Sequence, residues 1–173
     1  MTGTLSIRIR QLIRADCDAI ADAFAAQNWN KPVEQFERYL DEFSTGKRDI
    51  LLAEIDAEFA GYVTIDWKPE YAFFKERSIP EIADLNVLVK FQKRGIGSRL
   101  LDEAELLILS QTYEIAGIRV GLTADYGSAH RLYVKRGYIA DGCGISQLGR
   151  FLQYGDNVTL DDNLTIGFTK SLK

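Results

Sequence analysis

The stretch from Leu85 to Leu101 constrains the fold of this chain more than any other part of the sequence. Its first part, up to Lys90, is rich in aliphatic residues and predicts a largely buried strand. Its last part, from Ile96 onward, repeats apolar residues at three- and four-residue steps and predicts an amphipathic helix. A strand and a helix are therefore expected on either side of a short turn.

The turn between them has the chemistry of a phosphate site. Gly95 and Gly97 lack Cβ atoms, so the backbone there tolerates left-handed torsion angles and close approach by a ligand. Lys93 and Arg94 add positive charge. The first amides of the following helix have no intrahelical acceptor and lie at the positive end of the helix dipole. Gln92 to Gly97 is therefore predicted to cradle phosphate.

Two nucleotide-binding patterns are excluded for this turn. The Rossmann pattern G-x-G-x-x-G is not met, since only Gly95 and Gly97 fit it, and the Walker pattern occurs nowhere in the chain. A glycine turn that only connects a strand to a helix stays an alternative when this stretch is considered alone.

Length and charge set the broad class. With 173 residues, of which 46% are hydrophobic, the chain is expected to form one domain over residues 1–173. A net charge of −4 disfavours a general nucleic-acid binder. No apolar run approaches the ~18 residues of a membrane span, and no signal peptide is recognised, so we expect a cytoplasmic protein. One histidine and two separated cysteines predict no metal site and no disulfide.

Hydrophobic patterns along the rest of the chain alternate between strand and helix. Asp16 is expected to cap a first helix, and Pro32 to begin a second. A strand after the central helix would be parallel to the strand before it, because a helix connects them. The predicted strands outside the central stretch are Ser6–Gln11, Ile50–Ile55, Phe59–Asp66, Ile118–Thr123, a hairpin of Phe151–Tyr154 and Val158–Leu160, and Leu164–Phe168.

Two motifs together resemble one known family. Gln92-x-x-Gly95-x-Gly97, preceded by Leu85-x-Val87, resembles the acetyl-coenzyme A motif of the GNAT superfamily of N-acetyltransferases. The segment from Ala129 to Tyr138 is similar to the second hallmark of that superfamily, A-x-x-L-Y-x-x-x-G-[FY]. The resemblance implies an α/β (α+β) domain with a mixed central sheet of six or seven strands, splayed at its two central parallel strands, and about four helices.

The resemblance also implies an activity. It is transfer of an acetyl group from acetyl-coenzyme A, as co-substrate, to a primary amine in a ternary complex, with a small molecule as the expected acceptor. Two alternatives stay open: a protein or peptide amine as the acceptor, and a non-catalytic acyl-coenzyme A sensor. No nucleic acid, membrane or metal is implied, and a homodimer stays open.

Site residues follow from the match to the motifs. Tyr133 corresponds to the tyrosine that protonates the departing thiolate, and a phenol is protonated at neutral pH, as an acid must be. The base would be Glu81 or Asp84, directly or through water, and the resemblance favours Glu81, which lies six residues before Val87. An uninterrupted strand would place these two on opposite faces. The implied coenzyme contacts are Val87, Val89, Gln92, Lys93, Arg94, Gly95, Ile96, Gly97 and Ser98.

The acceptor side carries no motif of its own. By resemblance, Trp29, Phe36 and Tyr39 are candidates for it, although core packing is the more ordinary role of Phe36 and Tyr39. Tyr126 stands where many members of the superfamily carry Asn, which puts the usual coenzyme contact there in question. The acidic loop residues Asp156, Asp161 and Asp162 would either attract a cationic acceptor or be solvated surface charges.

Overall fold

The computed structural model describes residues 6–173, which form eight strands and five α-helices. The helices are α1 (Cys17–Ala25), α2 (Val33–Ser44), α3 (Ala72–Glu76), α4 (Ile96–Ser110) and α5 (Gly127–Lys135). The strands are β1 (Ile7–Gln11), β2 (Arg48–Ile55), β3 (Glu58–Asp66), β4 (Glu81–Val87), β5 (Ile115–Gly121), β6 (Ile139–Gln147), β7 (Arg150–Phe151) and β8 (Leu164–Ser171).

The eight strands form one mixed sheet in the order β1-β2-β3-β4-β5-β8-β6-β7, which confirms the predicted fold class. The expected counts of six or seven strands and four helices are too low within the described residues. β7 spans two residues and α3 spans five, and elements this short carry no readable periodicity.

Contacts divide the described chain into two compact units. The first contains the residues up to Trp67 together with Ala83–Leu107, and the second contains Lys68–Ile82 together with Ile108–Lys173. The expectation that residues 1–173 form one domain stays a prediction.

The first unit is an antiparallel meander covered by helices. β1 pairs with β2, and β2 pairs with β3 through a two-residue turn at Asp56 and Ala57, whose φ angles of 51° and 65° suit a tight hairpin. The predicted strands Ile50–Ile55 and Phe59–Asp66 are therefore found, as parts of β2 and β3. Its helices bury Ile20, Phe24 and Phe36 almost completely.

Two local predictions in this unit are wrong. β4 ends at Val87 rather than Lys90, because Val89–Phe91 turn into a short 3-10 helix in which the Phe91 amide donates to the Leu88 carbonyl over 2.8 Å. Asp16 precedes α1, but its carboxylate binds the Arg10 guanidinium and the Ile13 amide instead of capping the helix.

Gly61 on β3 marks a close approach of two backbones. A Cβ atom there would lie 2.5 Å from the Asn86 carbonyl oxygen and 3.0 Å from the Val87 Cα. We expect Gly61→Ala to lower the free energy of unfolding by about 1–3 kcal/mol, because backbone atoms yield little to overpacking. Gly127→Ala is the control, since nothing lies within 4 Å of its Cβ position. Urea unfolding that shows equal effects for the two variants would contradict this account.

The second unit is built around β5. β5 is parallel to the beginning of β4 through Glu81↔Gly117 and Ile82↔Ile118, which confirms the predicted crossover. So short a ladder agrees with the expected splay of the central pair. β5 begins at Ile115 rather than Ile118, because it pairs with β8 from that residue on.

The late hairpin lies earlier than predicted. β7 pairs with the end of β6 through Gln147↔Arg150, and the turn between them is Leu148 and Gly149, both at positive φ. The segment around Gly155 contains no strand, so the hairpin predicted there is wrong.

Candidate active site

The turn between β4 and α4, which is predicted to cradle phosphate, contains a residue in the left-handed conformation. Gly95 has a φ of +82°, and nothing lies within 4 Å of the position that its Cβ would take. The Gln92 side chain donates to the Val87 carbonyl over 3.1 Å and ties the turn to the strand end. Ile96 is buried, so its side chain anchors the start of α4. The backbone of the turn is therefore open to a ligand.

The charges around this turn favour an anion. Lys93 and Arg94 are exposed, and the Arg94 guanidinium lies 5.6 Å from the centre of the Phe91 ring. Gly97 and Ser98 belong to the first turn of α4, at the positive end of the helix dipole. The helix dipole and the two cationic side chains together fit a diphosphate.

Val89 has a neighbour that the sequence did not reveal. Its side chain is exposed, and its amide donates to the Gln27 side-chain oxygen over 3.0 Å. The Gln27 side-chain nitrogen is buried without a hydrogen-bond partner within residues 6–173. Gln27 belongs to no motif, and only the fold brings it to the end of β4.

Asp84 on β4 is the centre of a polar cluster in the first unit. Its carboxylate accepts hydrogen bonds from five side chains, and the nearest cation is the Lys31 ammonium, 2.6 Å from Oδ1. The other donors are neutral: Gln35 (2.9 Å), Tyr39 (2.8 Å), Tyr62 (2.5 Å) and Asn86 (2.7 Å).

This cluster keeps Asp84 ionised. Burial acts to raise the pKa of the Asp84 carboxyl, but the Lys31 charge and the hydrogen bonds from Lys31, Tyr62 and Tyr39 outweigh it, so the pKa is lowered. The backbone of Asp84 has a φ of +51°, a left-handed conformation in the middle of a strand. This interruption means that the alternation expected for Glu81 and Asp84 does not hold along β4.

Glu81 lies in the second unit and is committed to an ion pair. Both of its carboxylate oxygens accept from the Arg119 guanidinium, over 2.8 and 3.2 Å, and its side chain is 5% exposed. The Arg119 guanidinium also lies 5.2 Å from the centre of the Tyr71 ring. The paired carboxylate holds β4 and β5 together at their only parallel contacts within the described residues.

Tyr133 on α5 is the side chain that the second motif predicts as an acid. It is 5% exposed, and its ring lies 6.0 Å from that of Tyr138. Burial raises the pKa of the Tyr133 hydroxyl, and the nearby Tyr126 acts in the same direction. A buried phenol in this state is protonated and has a proton to donate.

Comparison with known proteins decides the family. The sequence model of the Acetyltransferase (GNAT) family matches residues 15–138, which is most of the chain and includes both motifs. The chain belongs to this family. The predicted resemblance is thereby confirmed.

A curated relative of this GNAT chain agrees. It is an uncharacterized N-acetyltransferase from Archaeoglobus fulgidus, 32% identical over 95 residues. The match covers 54% of this chain and 61% of the relative, so the chain spans less than two thirds of that protein.

Solved GNAT structures share the fold. A Salmonella typhimurium acetyltransferase that modifies the N-terminal serine of ribosomal protein L7/L12 has a TM-score of 0.71 at 11% identity, with 97% of this chain and 96% of that chain covered. The PaiA N-acetyltransferase of Thermoplasma acidophilum, solved with coenzyme A, has a TM-score of 0.66 at 16% identity, with 96% and 99% covered. At such identities the likeness concerns the fold alone.

Tyr126 stands at the position where the resemblance predicts Asn. The Tyr126 ring covers Gly121 at the end of β5, where a Cβ would lie 2.4 Å from it, and its hydroxyl donates to Asp162 over 3.0 Å. Asp156 accepts from Arg150, and Asp161 accepts from the Asn163 amide. Each of these loop carboxylates therefore has a partner in its own unit, and a contact with the acceptor stays a prediction.

The three aromatic candidates of the acceptor side have different surroundings. Phe36 is fully buried and is a core residue, as its ordinary role suggests. Tyr39 is 8% exposed, but its hydroxyl reaches Asp84. Trp29 is 37% exposed and stacks on Phe24 with ring centres 5.9 Å apart. Tyr39 is thus the member of this set that belongs to a polar site.

Two kinds of feature are absent from the described part of the chain. None of the helices within residues 6–173 is both long and apolar enough to cross a membrane. The same residues contain no group of three or more His, Cys, Asp or Glu side chains arranged to hold a metal ion.

Proposed function

We propose that this GNAT chain transfers the acetyl group of acetyl-coenzyme A to a primary amine, by direct transfer in a ternary complex. The observation that carries the proposal is the burial of Tyr133 on α5, where the second motif predicts the acid. Burial raises the pKa of its hydroxyl, so the phenol is protonated, as a group that gives a proton to the departing sulfur must be.

The donor side of the proposal rests on the turn at Gly95. Acetyl-coenzyme A would supply the activated acetyl thioester, and its diphosphate would be held by the amides at the start of α4 together with Lys93 and Arg94. The remaining expected coenzyme residues are Val87, Val89, Gln92, Ile96, Gly97 and Ser98. Val87 is the last residue of β4, and Val89 begins the 3-10 turn that follows it. Backbone groups at this end of the strand would meet the acyl arm.

The proposed reaction needs three events. The acceptor ammonium loses a proton to water and becomes a neutral amine, the amine nitrogen forms a bond to the carbonyl carbon and then loses a second proton to water, and the carbon–sulfur bond breaks. Tyr133 gives its proton to the departing sulfur and regains one from solvent. A backbone amide near Val87 would stabilise the negative charge that develops on the carbonyl oxygen.

For the acceptor side we assign Asp84 in preference to Glu81. Glu81 has both oxygens bound to Arg119, whereas Asp84 is 20% exposed at its side chain and binds an ammonium already. Its lowered pKa makes Asp84 a weak base, so its role is to bind the ammonium, and water carries the proton away.

The proposed acceptor is a small molecule with a primary amine. The small exposed fraction of Asp84 favours a slender alkyl ammonium over a bulky one. A protein acceptor is the alternative, because one structural neighbour acts on a ribosomal protein.

A thiol-release assay tests the proposal. The protein is mixed with acetyl-coenzyme A and a panel of primary alkyl amines, amino acids and peptides. We expect release of free thiol that requires both the protein and one class of amine. Tight binding of acetyl-coenzyme A without release on any amine would overturn the proposal and favour the sensor alternative.

A further inference from the structure

The polar cluster of the first unit has the composition of an ammonium-binding site. We call Asp84 and its four neutral hydrogen-bond donors the ammonium cage, and Lys31 is its occupant; the four donors are Gln35, Tyr39, Tyr62 and Asn86. The Lys31 ammonium lies 2.6 Å from Asp84 Oδ1 and 5.8 Å from the centre of the Tyr62 ring. A carboxylate beside an aromatic face attracts a primary ammonium through both charge and the ring quadrupole. The chain therefore fills the cage with its own ammonium.

Asp84 does not depend on Lys31 for its hydrogen bonds. Four neutral donors remain on its two oxygens when Lys31 is left out of the count: Gln35, Tyr39, Tyr62 and Asn86. Removal of the only partner of a buried carboxylate strongly destabilises the fold. The destabilisation is smaller when several other hydrogen-bond donors remain. The cage can thus survive the departure of Lys31.

Lys31 is placed so that it can leave. It belongs to the connection between α1 and α2, outside any helix or strand, and its side chain is 21% exposed. The same connection contains Asn28 at a φ of +61°. A lysine stem in such a segment can move its ammonium into water without disturbing a regular element.

The backbone of Asp84 adds an independent sign. Its left-handed φ of +51° interrupts β4, and conformations of this kind persist in strands chiefly where the surroundings require them. The requirement here is visible, since this conformation aims the carboxylate at side chains from α2, β3 and the α1–α2 connection.

We propose that the ammonium cage binds the ammonium group of the acceptor, and that Lys31 occupies the cage in the free enzyme and is displaced when the acceptor binds. This inference rests on the proposed function and names its substrate class. The acceptor is a primary ammonium on an unbranched aliphatic stem, because that is the group which the cage already holds.

Removal of Lys31 should strengthen amine binding. Lys31 acts as a tethered competitor, with an effective concentration in the millimolar range. A free ligand can bind only while Lys31 is out of the cage, so its apparent affinity falls in proportion to the fraction of time for which the cage is open. For a weak alkyl ammonium ligand we expect Lys31→Met to tighten binding about ten-fold by this argument. Methionine keeps the length of the stem and removes the charge.

The experiment uses the full chain and n-butylamine hydrochloride as the probe, without acetyl-coenzyme A. Binding is followed by NMR chemical-shift titration, which suits weak affinities. Lys47→Met is the matched control, because Lys47 pairs with Glu42 in the same unit and carries the same charge. Lys31→Ala is the second variant, in case the methionine fills the cage. Butan-1-ol serves as the neutral ligand of equal size.

We expect both Lys31 variants to bind butylamine about ten-fold more tightly than the unmodified protein and the Lys47→Met protein. Butan-1-ol should bind none of them measurably. Equal butylamine affinity in folded Lys31 variants and in the Lys47→Met protein would overturn the cage proposal.

Failure of this inference is distinguishable from failure of the proposed function. If the protein acetylates alkyl amines and Lys31→Met leaves amine affinity unchanged, the cage proposal is overturned and the proposed acetyltransferase activity stands. If Lys31→Met binds amines more tightly but no acetyl transfer occurs, the cage proposal stands and the proposed acetyltransferase activity is overturned.

Discussion

Replacing Tyr133 by Phe is expected to lower kcat for acetyl transfer about 100-fold or more, because the departing sulfur loses its proton donor. The variant keeps the ring that packs on Tyr138, so folding and coenzyme affinity should change little. Because burial raises the pKa of the hydroxyl, Tyr133 stays protonated at neutral and moderately alkaline pH. The ratio of the two kcat values should therefore stay constant between about pH 7 and 9.

The matched control for this variant is Tyr154→Phe, which removes a hydroxyl from a fully exposed side chain of the same unit. Its kcat should equal that of the unmodified protein. A Tyr133→Phe enzyme with full kcat would remove Tyr133 from the chemistry and leave it as a packing residue of α5.

Replacing Gly97 by Glu is expected to weaken acetyl-coenzyme A binding at least about 100-fold. A carboxylate in the first turn of α4 would stand at the proposed diphosphate site, and two like charges about 4 Å apart near a protein surface repel by about 4 kcal/mol. The same carboxylate should not destabilise the helix, since negative charge at a helix N-terminus is favourable. Loss of binding with retained stability is thus the expected pair of results.

Gly97→Gln separates charge from size in this test. The glutamine side chain matches glutamate in volume and is neutral. We therefore expect calorimetry to show tighter coenzyme binding by the Gly97→Gln protein than by the Gly97→Glu protein. Equal losses in the two variants would show that bulk, and not charge, matters at the turn. Undiminished affinity in Gly97→Glu would refute a diphosphate site there.

The organisation of the central stretch was predictable because its signals are local. The spacing of Gly95 and Gly97 and the apolar repeat after Ile96 lie within a few residues of each other, and α4 begins at Ile96 as predicted. The end of β4 was not predictable, since Val87 to Phe91 reads as an apolar strand until the 3-10 hydrogen bonds form.

The position of the late hairpin was predicted wrongly for a related reason. Gly155 and its polar neighbours carry the ordinary composition of a turn, whereas the actual turn places Leu148 at a φ of +48°. A branched aliphatic residue is disfavoured in that conformation, so the composition of the segment gives no sign of this turn. Turn chemistry alone therefore pointed to the wrong segment.

The ammonium cage could not be predicted from local sequence patterns. The donors to Asp84 come from as far away as Lys31, 53 positions earlier in the chain, and from Tyr62, 22 positions earlier. Asp84 was a candidate through its place before the motif, but its left-handed backbone and its five donors arise only when the strands and helices of the first unit assemble.

Acetyl transfer itself is tested most directly by following the label from [1-¹³C]acetyl-coenzyme A in the presence of the protein and n-butylamine. We predict that the thioester carbonyl signal is replaced by an amide carbonyl signal of N-butylacetamide, in an amount equal to the thiol released, and only when the protein is present. A thioester signal that persists under conditions where the coenzyme is bound, with every primary amine tried, would contradict the account.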